Sequence, residues 1–413
     1  MHIAFYTNTY HPVVNGVVRS VHSFRKALID LGHNVFIFAQ EAKGYEDSEP
    51  FIFRYPSISL PTQQNYPLTI PISSHVDWLL PSLKLDVIHS HDPFLMGNAA
   101  ASKSEELGVP LVFTHHTRYR AYGSKVPLNQ KLVRNTIENR LDDYMSQCHH
   151  IIAPSESAKL MLQEEYGVAS QITALPTGLD LSCYKTPDRQ AMRRARGWGQ
   201  ELVLISVGRL AKEKNWEPLL KAAARIIHHY AAVRLVLIGD GDDRRRLQRL
   251  TRTLGIAGRV EFTGTIPHGD VIRYLKAADI FCFASVTETQ GLVTMEAMAA
   301  GLPVVAVDSM GTSDVVKNDQ EGLLTDNDSQ ALAGALEKVI NDIALRERFR
   351  EAAQKRAETL SIAAQGQKLV TVYEQALEDQ RAGHFVQVSR NNLPELKRKR
   401  WYRAIDNLID PVR

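Results

Sequence analysis

The chain has 413 residues, 44% of them hydrophobic and 23% charged, which is enough apolar material for two domains of ordinary size. Its 49 basic and 46 acidic residues nearly balance, so the overall charge gives no reason to expect a nucleic-acid partner. The three cysteines are far apart in the sequence and form no C-x-x-C unit, so neither a disulfide framework nor a zinc site is indicated. We expect all three to be small buried side chains.

Short apolar and β-branched runs alternate with helical patterns along two stretches of the chain. The first stretch has its runs at residues 3–6, 35–38, 87–89, 111–113 and 150–153, and the second at 202–207, 233–238, 260–262, 280–283 and 304–307. Runs of this length and composition are typical of parallel strands buried between helices. The sequence therefore predicts an α/β protein with two Rossmann-like, doubly wound domains. After about residue 330 the pattern is helical, from 331 to 377.

We expect neither a membrane-spanning segment nor a secretory signal in this sequence. No apolar run approaches the roughly 18–20 residues that cross a bilayer, and the first residues lack the features of a secretory signal. We therefore expect a cytoplasmic protein. Turn residues cluster at 176–180, where we expect one domain to end and the next to begin.

A long motif, T-E-T-Q-G-L-V-T-M-E at residues 287–296, follows the run at 280–283 and leads into a helix. It falls at the carboxyl edge of the predicted sheet, where open α/β domains bind ligands. Gly291 lets backbone amides approach a bound group, and a helix N-terminus favours an anion. Glu288 and Glu296 can accept hydrogen bonds from sugar or ribose hydroxyls. A capped amphipathic helix with two unrelated glutamates remains the alternative.

A basic motif, G-R-L-A-K-E-K at residues 208–214, follows the run at 202–207. Its position after a strand favours a functional role. Arg209 and Lys214 suit a diphosphate, arginine through its planar fork and lysine as a point charge. A solvated basic loop is the alternative.

Two further motifs follow predicted strands of the first domain. Gly16, in N-G-V-V, permits close backbone contact with a phosphate or sugar, although a plain turn explains it equally well. His116, in H-H-T, is a candidate for orienting a sugar hydroxyl or an acceptor. His89 and His91 raise a metal site as an alternative, but no second group of ligands with zinc spacing accompanies them, and we predict no metal.

Together these motifs resemble those of the family 4 retaining glycosyltransferases, whose GT-B fold has two Rossmann-like domains facing each other across a cleft. The resemblance covers nearly the whole chain. It rests on the E-x7-E pair, the G-R-x4-K element, the N-G-V-V loop and the H-T dipeptide. It implies an acceptor domain at residues 1–178, a nucleotide-sugar donor domain at 179–369, and a C-terminal segment, about 370–413, that packs back onto the first domain.

The resemblance also implies roles for individual residues. His116, Arg209, Lys214 and Glu288 would form the catalytic set, with Glu288 also holding the transferred hexose. Donor binding would further involve Gly16, Ile266 beside the nucleobase, Gly291 with the amides of Leu292 and Val293, and Glu296 on the ribose. Family members work by front-face substitution without a bound cofactor or metal; Glu288 as a covalent nucleophile is the mechanistic alternative.

One departure points to a branch of the family. Many members read E-G-F-G where this chain reads E-T-Q-G at residues 288–291, a form that resembles the diacylglycerol glucosyltransferases and related glycolipid synthases. This resemblance implies UDP-glucose or UDP-galactose as donor and a lipid acceptor, such as diacylglycerol or a monoglycosyldiacylglycerol. A transferase for a soluble sugar or small metabolite keeps every donor motif and stays open, as does an inactive nucleotide-sugar-binding regulator.

Basic and aromatic side chains are interleaved in the segment that follows His116. Those that we expect on the membrane and acceptor side are Arg118, Tyr119, Arg120, Tyr122 and Lys125. Each basic residue near an anionic membrane contributes about 1 kcal/mol of binding. The tail at 396–403 is again basic and aromatic. We therefore expect a peripheral protein on the inner face of a membrane, with a solvated helix face and a disordered end as the alternatives.

Overall fold

A computed structural model describes residues 1–13, 15–59, 67–117, 130–185 and 188–389. The chain divides into two compact units. The first comprises Met1–Gly178 together with the described residues from Ile362 onward, and the second comprises Leu179–Ser361. The chain thus leaves the first unit once and returns to it once.

The first unit contains the elements β1 (His2–Tyr6), α1 (Gly16–Asp30), β2 (Asn34–Gln40), β3 (Ile52–Tyr55), β4 (Ser57–Ser59), β5 (Pro67–Thr69), α2 (Ser74–Leu79), β6 (Val87–Ser90), α3 (Leu95–Leu107), β7 (Leu111–Thr114), α4 (Gln130–Met145), β8 (His150–Ala153), α5 (Glu156–Tyr166) and β9 (Ile172–Ala174). Seven of its strands form a parallel sheet of order β3-β2-β1-β6-β7-β8-β9. The strands β4 and β5 form a separate, short antiparallel pair.

The second unit contains the elements α6 (Arg189–Arg196), β10 (Leu202–Val207), α7 (Trp216–His229), β11 (Val233–Ile238), α8 (Arg244–Thr253), β12 (Val260–Gly264), α9 (His268–Ala277), β13 (Ile280–Phe283), α10 (Leu292–Ala299), β14 (Val304–Val307), α11 (Thr312–Val315), β15 (Gly322–Thr325), α12 (Ser329–Asn341) and α13 (Ile343–Thr359). Its strands form a six-stranded parallel sheet of order β12-β11-β10-β13-β14-β15. The last helix among the described residues, α14 (Ile362–Arg381), belongs to the first unit.

The prediction of two doubly wound sheets is confirmed. Every residue of β13 and β14 is buried, as expected of strands covered on both faces. In each sheet the strand order reverses at one point, between β1 and β6 in the first and between β10 and β13 in the second. The loops that follow the strands on either side of such a reversal form a crevice, and there open α/β sheets bind ligands.

The helix α14 completes the core of the first unit. A Cβ added at Gly366 would lie 2.6 Å from the Cβ of Ala27, so the glycine permits close contact between α14 and α1. The buried hydroxyl of Tyr373 lies 2.7 Å from Nδ1 of His89 in β6. The last described helix thus packs against the first helix and a central strand of the same unit.

The cysteines differ in one respect from expectation. Cys148 and Cys282 are buried, and burial raises the pKa of the Cys282 thiol to about 12, which makes it unreactive. Cys183 is exposed, so the expectation that all three are buried is wrong for this residue. It lies in a short helical turn that begins the second unit, where the side chain meets no core.

Gly322 offers a test of the packing at the edge of the second sheet. A Cβ at this position would overlap the carbonyl oxygen of Val304, to which β15 is paired. We expect Gly322→Ala to lower the free energy of unfolding by about 1–3 kcal/mol, measured by urea denaturation. As a control, Gly334→Ala in α12 meets no atom within 4 Å and should stabilise the protein by about 0.5–1 kcal/mol. Equal midpoints for the two variants would contradict the strand pairing described for β15.

Candidate active site

The loops after β10 and β13 meet at the reversal point of the second sheet. Lys214 Nζ lies 2.5 Å from Glu288 Oε1, and both side chains are largely buried. Ser285 Oγ donates a hydrogen bond of 2.8 Å to the same carboxylate oxygen. Two residues separated by 74 positions in the sequence are therefore in direct contact. This contact brings together one member of each of the two strongest motifs.

Two hydrogen bonds from side chains to backbone carbonyls hold the basic loop in place. Trp216 Nε1 donates a hydrogen bond of 2.9 Å to the carbonyl oxygen of Arg209. Asn215, with a left-handed φ of 56°, donates through Nδ2 to the carbonyl oxygen of Ala284 at 2.9 Å. The Arg209 guanidinium is half exposed and forms an ion pair with Glu213. Besides the exposed Lys212, the loop thus presents a half-exposed cation, Arg209, and a largely buried one, Lys214.

The helix α10 begins at this edge, and its N-cap residue provides no side-chain cap for the first amides. Its N-cap residue Gly291 has a φ of 75°, and a Cβ there would lie 2.8 Å from the carbonyl oxygen of Gly311. The carbonyl oxygen of Gly291 accepts from the amides of Thr294 and Met295 at 3.0 and 3.1 Å. The amides of Leu292 and Val293 belong to the first turn of the helix, where N–H groups have no carbonyl partner within the helix. Such a turn favours an anion.

Glu296, later in α10, is 1% exposed, and its Oε1 lies 2.8 Å from Nε2 of His268. His268 is the first residue of α9 and follows Ile266 by two positions. Ile266 itself packs against the core of the second unit. The structure therefore brings the second glutamate of the E-x7-E pair to the loop that the sequence analysis assigned to the nucleobase.

Sequence reasoning missed several residues of this region. Ser285 bonds to Glu288, His268 contacts Glu296, and Gly311 packs against the glutamate loop. Gly311 has a φ of 78°, and a Cβ there would lie 2.8 Å from the carbonyl oxygen of Glu288. A signal for Gly311 exists, because its loop follows β14 as the glutamate loop follows β13, at the same edge of the sheet. No comparable signal exists for His268, whose contact spans 28 positions.

In the first unit, Gly16 is the first residue of α1. Asn15 caps this helix, since its Oδ1 accepts from the amide of Val18 at 2.9 Å. Gly16 therefore lies at a helix N-terminus that follows β1, at the reversal point of the first sheet.

His116 follows β7 and contacts a second histidine. Its Nε2 lies 2.9 Å from Nδ1 of His91, and the two rings are stacked with centroids 5.2 Å apart. Burial lowers the pKa of His116 to about 3, so the ring is neutral at pH 7. The pKa of His91 is likewise well below its ordinary value, because the ring is buried. The pair is therefore two neutral imidazoles.

The histidines do not support the metal alternative. His89 has both ring nitrogens engaged, Nδ1 with Tyr373 and Nε2 with Thr114 Oγ1, each at 2.7 Å. Within the described ranges, no group of three or more His, Cys, Asp or Glu side chains is placed to hold a metal ion. His89 joins β6, β7 and α14, which is a structural role.

The residues assigned to the membrane and acceptor side lie outside the described residues. These are Arg118, Tyr119, Arg120, Tyr122 and Lys125, together with the basic tail at 396–403. In the part of the chain that the structure describes, none of the helices is both long enough and apolar enough to cross a membrane.

The two doubly wound units, one of them with a basic loop and two glutamates at its reversal point, define a glycosyltransferase of the GT-B fold class. Two family models match: "Glycosyltransferase Family 4" over residues 14–182 and "Glycosyl transferases group 1" over residues 188–356. The alpha-monoglucosyldiacylglycerol synthase of Acholeplasma laidlawii is 31% identical over 74% of this chain and 80% of its own length. That of Streptococcus pneumoniae is 29% identical over 82% and 78%. The chain belongs to the family 4 glycosyltransferases, as its motifs predicted.

Other comparisons agree on the class of enzyme and on the fold. A GDP-mannose-dependent alpha-mannosyltransferase of Corynebacterium glutamicum is 25% identical over 83% of this chain and 81% of its own length. The crystal structure of Anabaena HepE in complex with UDP superposes with a TM-score of 0.73 at 20% identity, over 91% of this chain and 100% of the other. The relatives therefore differ in the sugars and acceptors that their names give.

Proposed function

We propose that this enzyme transfers a hexose from UDP-glucose or UDP-galactose to a lipid acceptor, diacylglycerol or a monoglycosyldiacylglycerol, and forms an α-glycosidic bond. The assignment of the donor is carried by the contact of Lys214 with Glu288 beside the N-terminus of α10. A cation and a carboxylate that can accept from hydroxyls lie together there, next to a helix N-terminus that favours an anion. The acceptor side is supported by two relatives named as alpha-monoglucosyldiacylglycerol synthases.

The diphosphate of the donor is bound by positive charge and amides. Arg209 offers a planar fork of donors, and Lys214 offers a compact charge. The amides of Leu292 and Val293 add a helix N-terminus, which favours phosphate. For the diphosphate to bind in this way, Arg209 leaves its ion pair with Glu213. This costs little, because solvent screens that ion pair.

The two sugars of the donor are recognised by carboxylates. Glu288 accepts hydrogen bonds from hydroxyls of the transferred hexose, and Glu296 accepts from the ribose hydroxyls. Ile266 packs against the nucleobase.

The reaction is a substitution on one face of the anomeric carbon. The bond from this carbon to the β-phosphate oxygen breaks, the bond to the acceptor oxygen forms on the same face, and the acceptor proton passes to the departing phosphate oxygen. Arg209 and Lys214 stabilise the negative charge that develops on that phosphate, a preorganised electrostatic effect. They supply the positive charge at this point, so the proposal assigns no metal and no cofactor. Glu288 acts in this scheme as a hydrogen-bond acceptor and not as a covalent nucleophile, and Lys214 and Ser285 hold one of its oxygens in place.

The acceptor is a lipid in a membrane surface. In this proposal, residues 118–125 of the first unit, with Arg118, Tyr119, Arg120, Tyr122 and Lys125, bind anionic headgroups on the inner, cytoplasmic face. A soluble sugar or small metabolite is the competing acceptor, and the same donor site serves both.

The test combines donor binding with product analysis. We expect UDP-glucose or UDP-galactose to raise the melting temperature more than GDP- or ADP-sugars, because a ligand at a hundredfold excess over its Kd stabilises by about 2.7 kcal/mol. Mixed micelles with diacylglycerol or monoglucosyldiacylglycerol should then yield an α-linked glycolipid, identified by mass spectrometry and the anomeric proton coupling. Stabilisation by a GDP-sugar alone would contradict the donor. Faster transfer to a soluble sugar, with no lipid product, would contradict the acceptor.

A further inference from the structure

Asn215 joins three loops of the second unit. It follows Lys214 directly, and its Nδ2 donates to the carbonyl oxygen of Ala284, the residue after β13, at 2.9 Å. The same nitrogen donates to Oδ1 of Asn327, in the loop after β15, at 2.7 Å. An amide nitrogen carries two protons, and these two bonds use both of them. One side chain thus connects the basic loop to the loops that follow β13 and β15.

The conformation of Asn215 is unusual for its position. Asn215 is the N-cap residue of α7, where an asparagine oxygen ordinarily accepts from one of the first amides of the helix. Here the side chain makes no such bond, and the backbone is left-handed, with a φ of 56° and a ψ of 41°. Such local costs persist only where the surrounding structure maintains them, and they are common at functional sites. The side chain is therefore held by the loops that it joins and not by its own helix.

A second hydrogen bond supports Lys214 from its other side. Thr287 Oγ1 donates to the carbonyl oxygen of Glu213 at 3.2 Å. The residues before and after Lys214 are therefore both bonded to the segment that begins at Ala284 and carries Glu288. With its main chain held on both sides, Lys214 keeps its Nζ 2.5 Å from the Glu288 carboxylate. A cation that is held in advance stabilises a developing charge without the cost of reorganisation.

Asn327 orients the amide of Asn215. Its neighbour Asp328 caps α12, since a carboxylate oxygen accepts from the amides of the second and third helical residues at 2.7 and 2.9 Å. The position of Asn327 is therefore fixed by a helix that packs against α7. The carbonyl oxygens of Asn327 and Ala284 can only accept, so Asn215 presents its nitrogen, and not its oxygen, to both.

We propose that Asn215 is a positioning residue that, together with Asn327, holds Lys214 at the leaving phosphate. This inference rests on the proposed role of Lys214, and it extends the site to a loop that none of the sequence motifs includes. In this scheme neither asparagine contacts the donor. The position of Lys214 is a property of the free protein and can be measured without a substrate.

Trace acetylation of the free, full-length protein measures how firmly Lys214 is held. Mass spectrometry of the peptide that contains both lysines of the loop gives the ratio of Lys214 to Lys212 acetylation, with the exposed Lys212 as the internal reference. Asn215→Gly keeps the left-handed backbone accessible and removes both hydrogen bonds, so we expect it to raise this ratio about threefold or more. An unchanged ratio would overturn the proposal, whatever the enzyme transfers. Absence of transfer from any UDP-hexose, with a raised ratio, would instead overturn the proposed function and leave the positioning of Lys214 intact.

Kinetics with the UDP-sugar should show the same connection. We expect Asn215→Gly to lower kcat about tenfold, the effect of one hydrogen bond, with KM changed less than about twofold. Asn327→Ala should lower kcat about threefold in the wild-type background and not further in Asn215→Gly, because the two residues act through one contact. Asn327→Asp keeps an accepting oxygen and should retain the wild-type kcat. Additive losses in the double variant, or equal losses in the two Asn327 variants, would overturn the proposal. If Asn215→Gly does not fold, the two Asn327 variants decide.

Tyr230→Phe is the matched control. The Tyr230 hydroxyl joins the same two helices, α7 and α12, at their other ends, where it accepts from Asn341 Nδ2 at 2.7 Å. We expect this variant to lower the melting temperature as Asn327→Ala does, and to leave kcat and the acetylation ratio unchanged. A loss of kcat equal to that of Asn327→Ala would show that any contact between these helices serves, and would overturn the role given to Asn215.

Discussion

Replacing Lys214 with alanine is expected to lower kcat by about 10²–10³-fold, the cost of removing one preorganised charge from a departing group. The largely buried ammonium contacts Glu288 and lies in the loop where we place the leaving phosphate. Removing the ammonium raises the free energy of the transition state, where the charge on the phosphate is greatest, more than it weakens donor binding. Steady-state kinetics with the stabilising UDP-sugar should therefore show a larger change in kcat than in KM.

The matched control for Lys214 is its neighbour Lys212. It lies in the same short helical turn but is exposed, and the structure gives it no contact with a carboxylate. Lys212→Ala should leave kcat within about twofold, as exposed charges contribute little. If the two alanine variants have similar activity, the loop does not hold the leaving group and the donor site lies elsewhere.

Exchanging Glu288 for glutamine is expected to lower kcat/KM about a hundredfold. The amide has the same shape and still offers an oxygen to Ser285, but it has lost the charge that contacts Lys214 and that strengthens hydrogen bonds from sugar hydroxyls. Hydrogen bonds to charged groups contribute about 1.5–3 kcal/mol, which is consistent with a change of this size. The measurement is initial rate against donor concentration, with circular dichroism to establish that the variant is folded.

Glu213→Gln provides the comparison for Glu288. This carboxylate also pairs with a cation of the basic loop, Arg209, but the arginine is half exposed and the pair is screened by solvent. We expect kcat/KM to change less than about threefold, with any change toward tighter donor binding, because Arg209 loses a competing partner. A loss in Glu213→Gln as large as that in Glu288→Gln would refute the separate roles given to the two carboxylates.

The sequence predicted the central strands well and most of the edge strands poorly. Every run that was assigned to a strand is one in the structure, and most of these strands are buried on both faces. The exception is the edge strand β12, which is only partly buried and contains Glu261. The strands without a predicted run include β3, β9 and β15, each at the edge of a sheet. They contain Arg54, Thr173 and Thr325, and such mixed runs resemble loops when they are read alone. An edge strand has one neighbour only, so its composition is less constrained.

The donor motifs were identified from the sequence, but their contacts were not. The position of a motif after a strand predicted the edge of the sheet, and the strand order then brings Lys214 and Glu288 together. Ser285 and His268 are common residue types whose roles depend on distances that no local pattern encodes. The same holds for Asn327, whose partner lies 112 positions away. The roles of the site residues stay predictions until the kinetics are measured.

The return of the chain to the first unit has a consequence for synthesis on the ribosome. The second unit is a continuous stretch, Leu179–Ser361, so all of its residues are available before α14 emerges. The first unit cannot complete its folding until α14 is synthesised, because Tyr373 of α14 contacts His89 and the helix packs against Ala27. Domains generally fold as they are completed during translation, so the second unit is complete while the first still exposes the apolar surface that α14 covers. The N-terminal half of the polypeptide is thus the last to become native, and it is the part that a truncated translation product would leave open to chaperones and proteases.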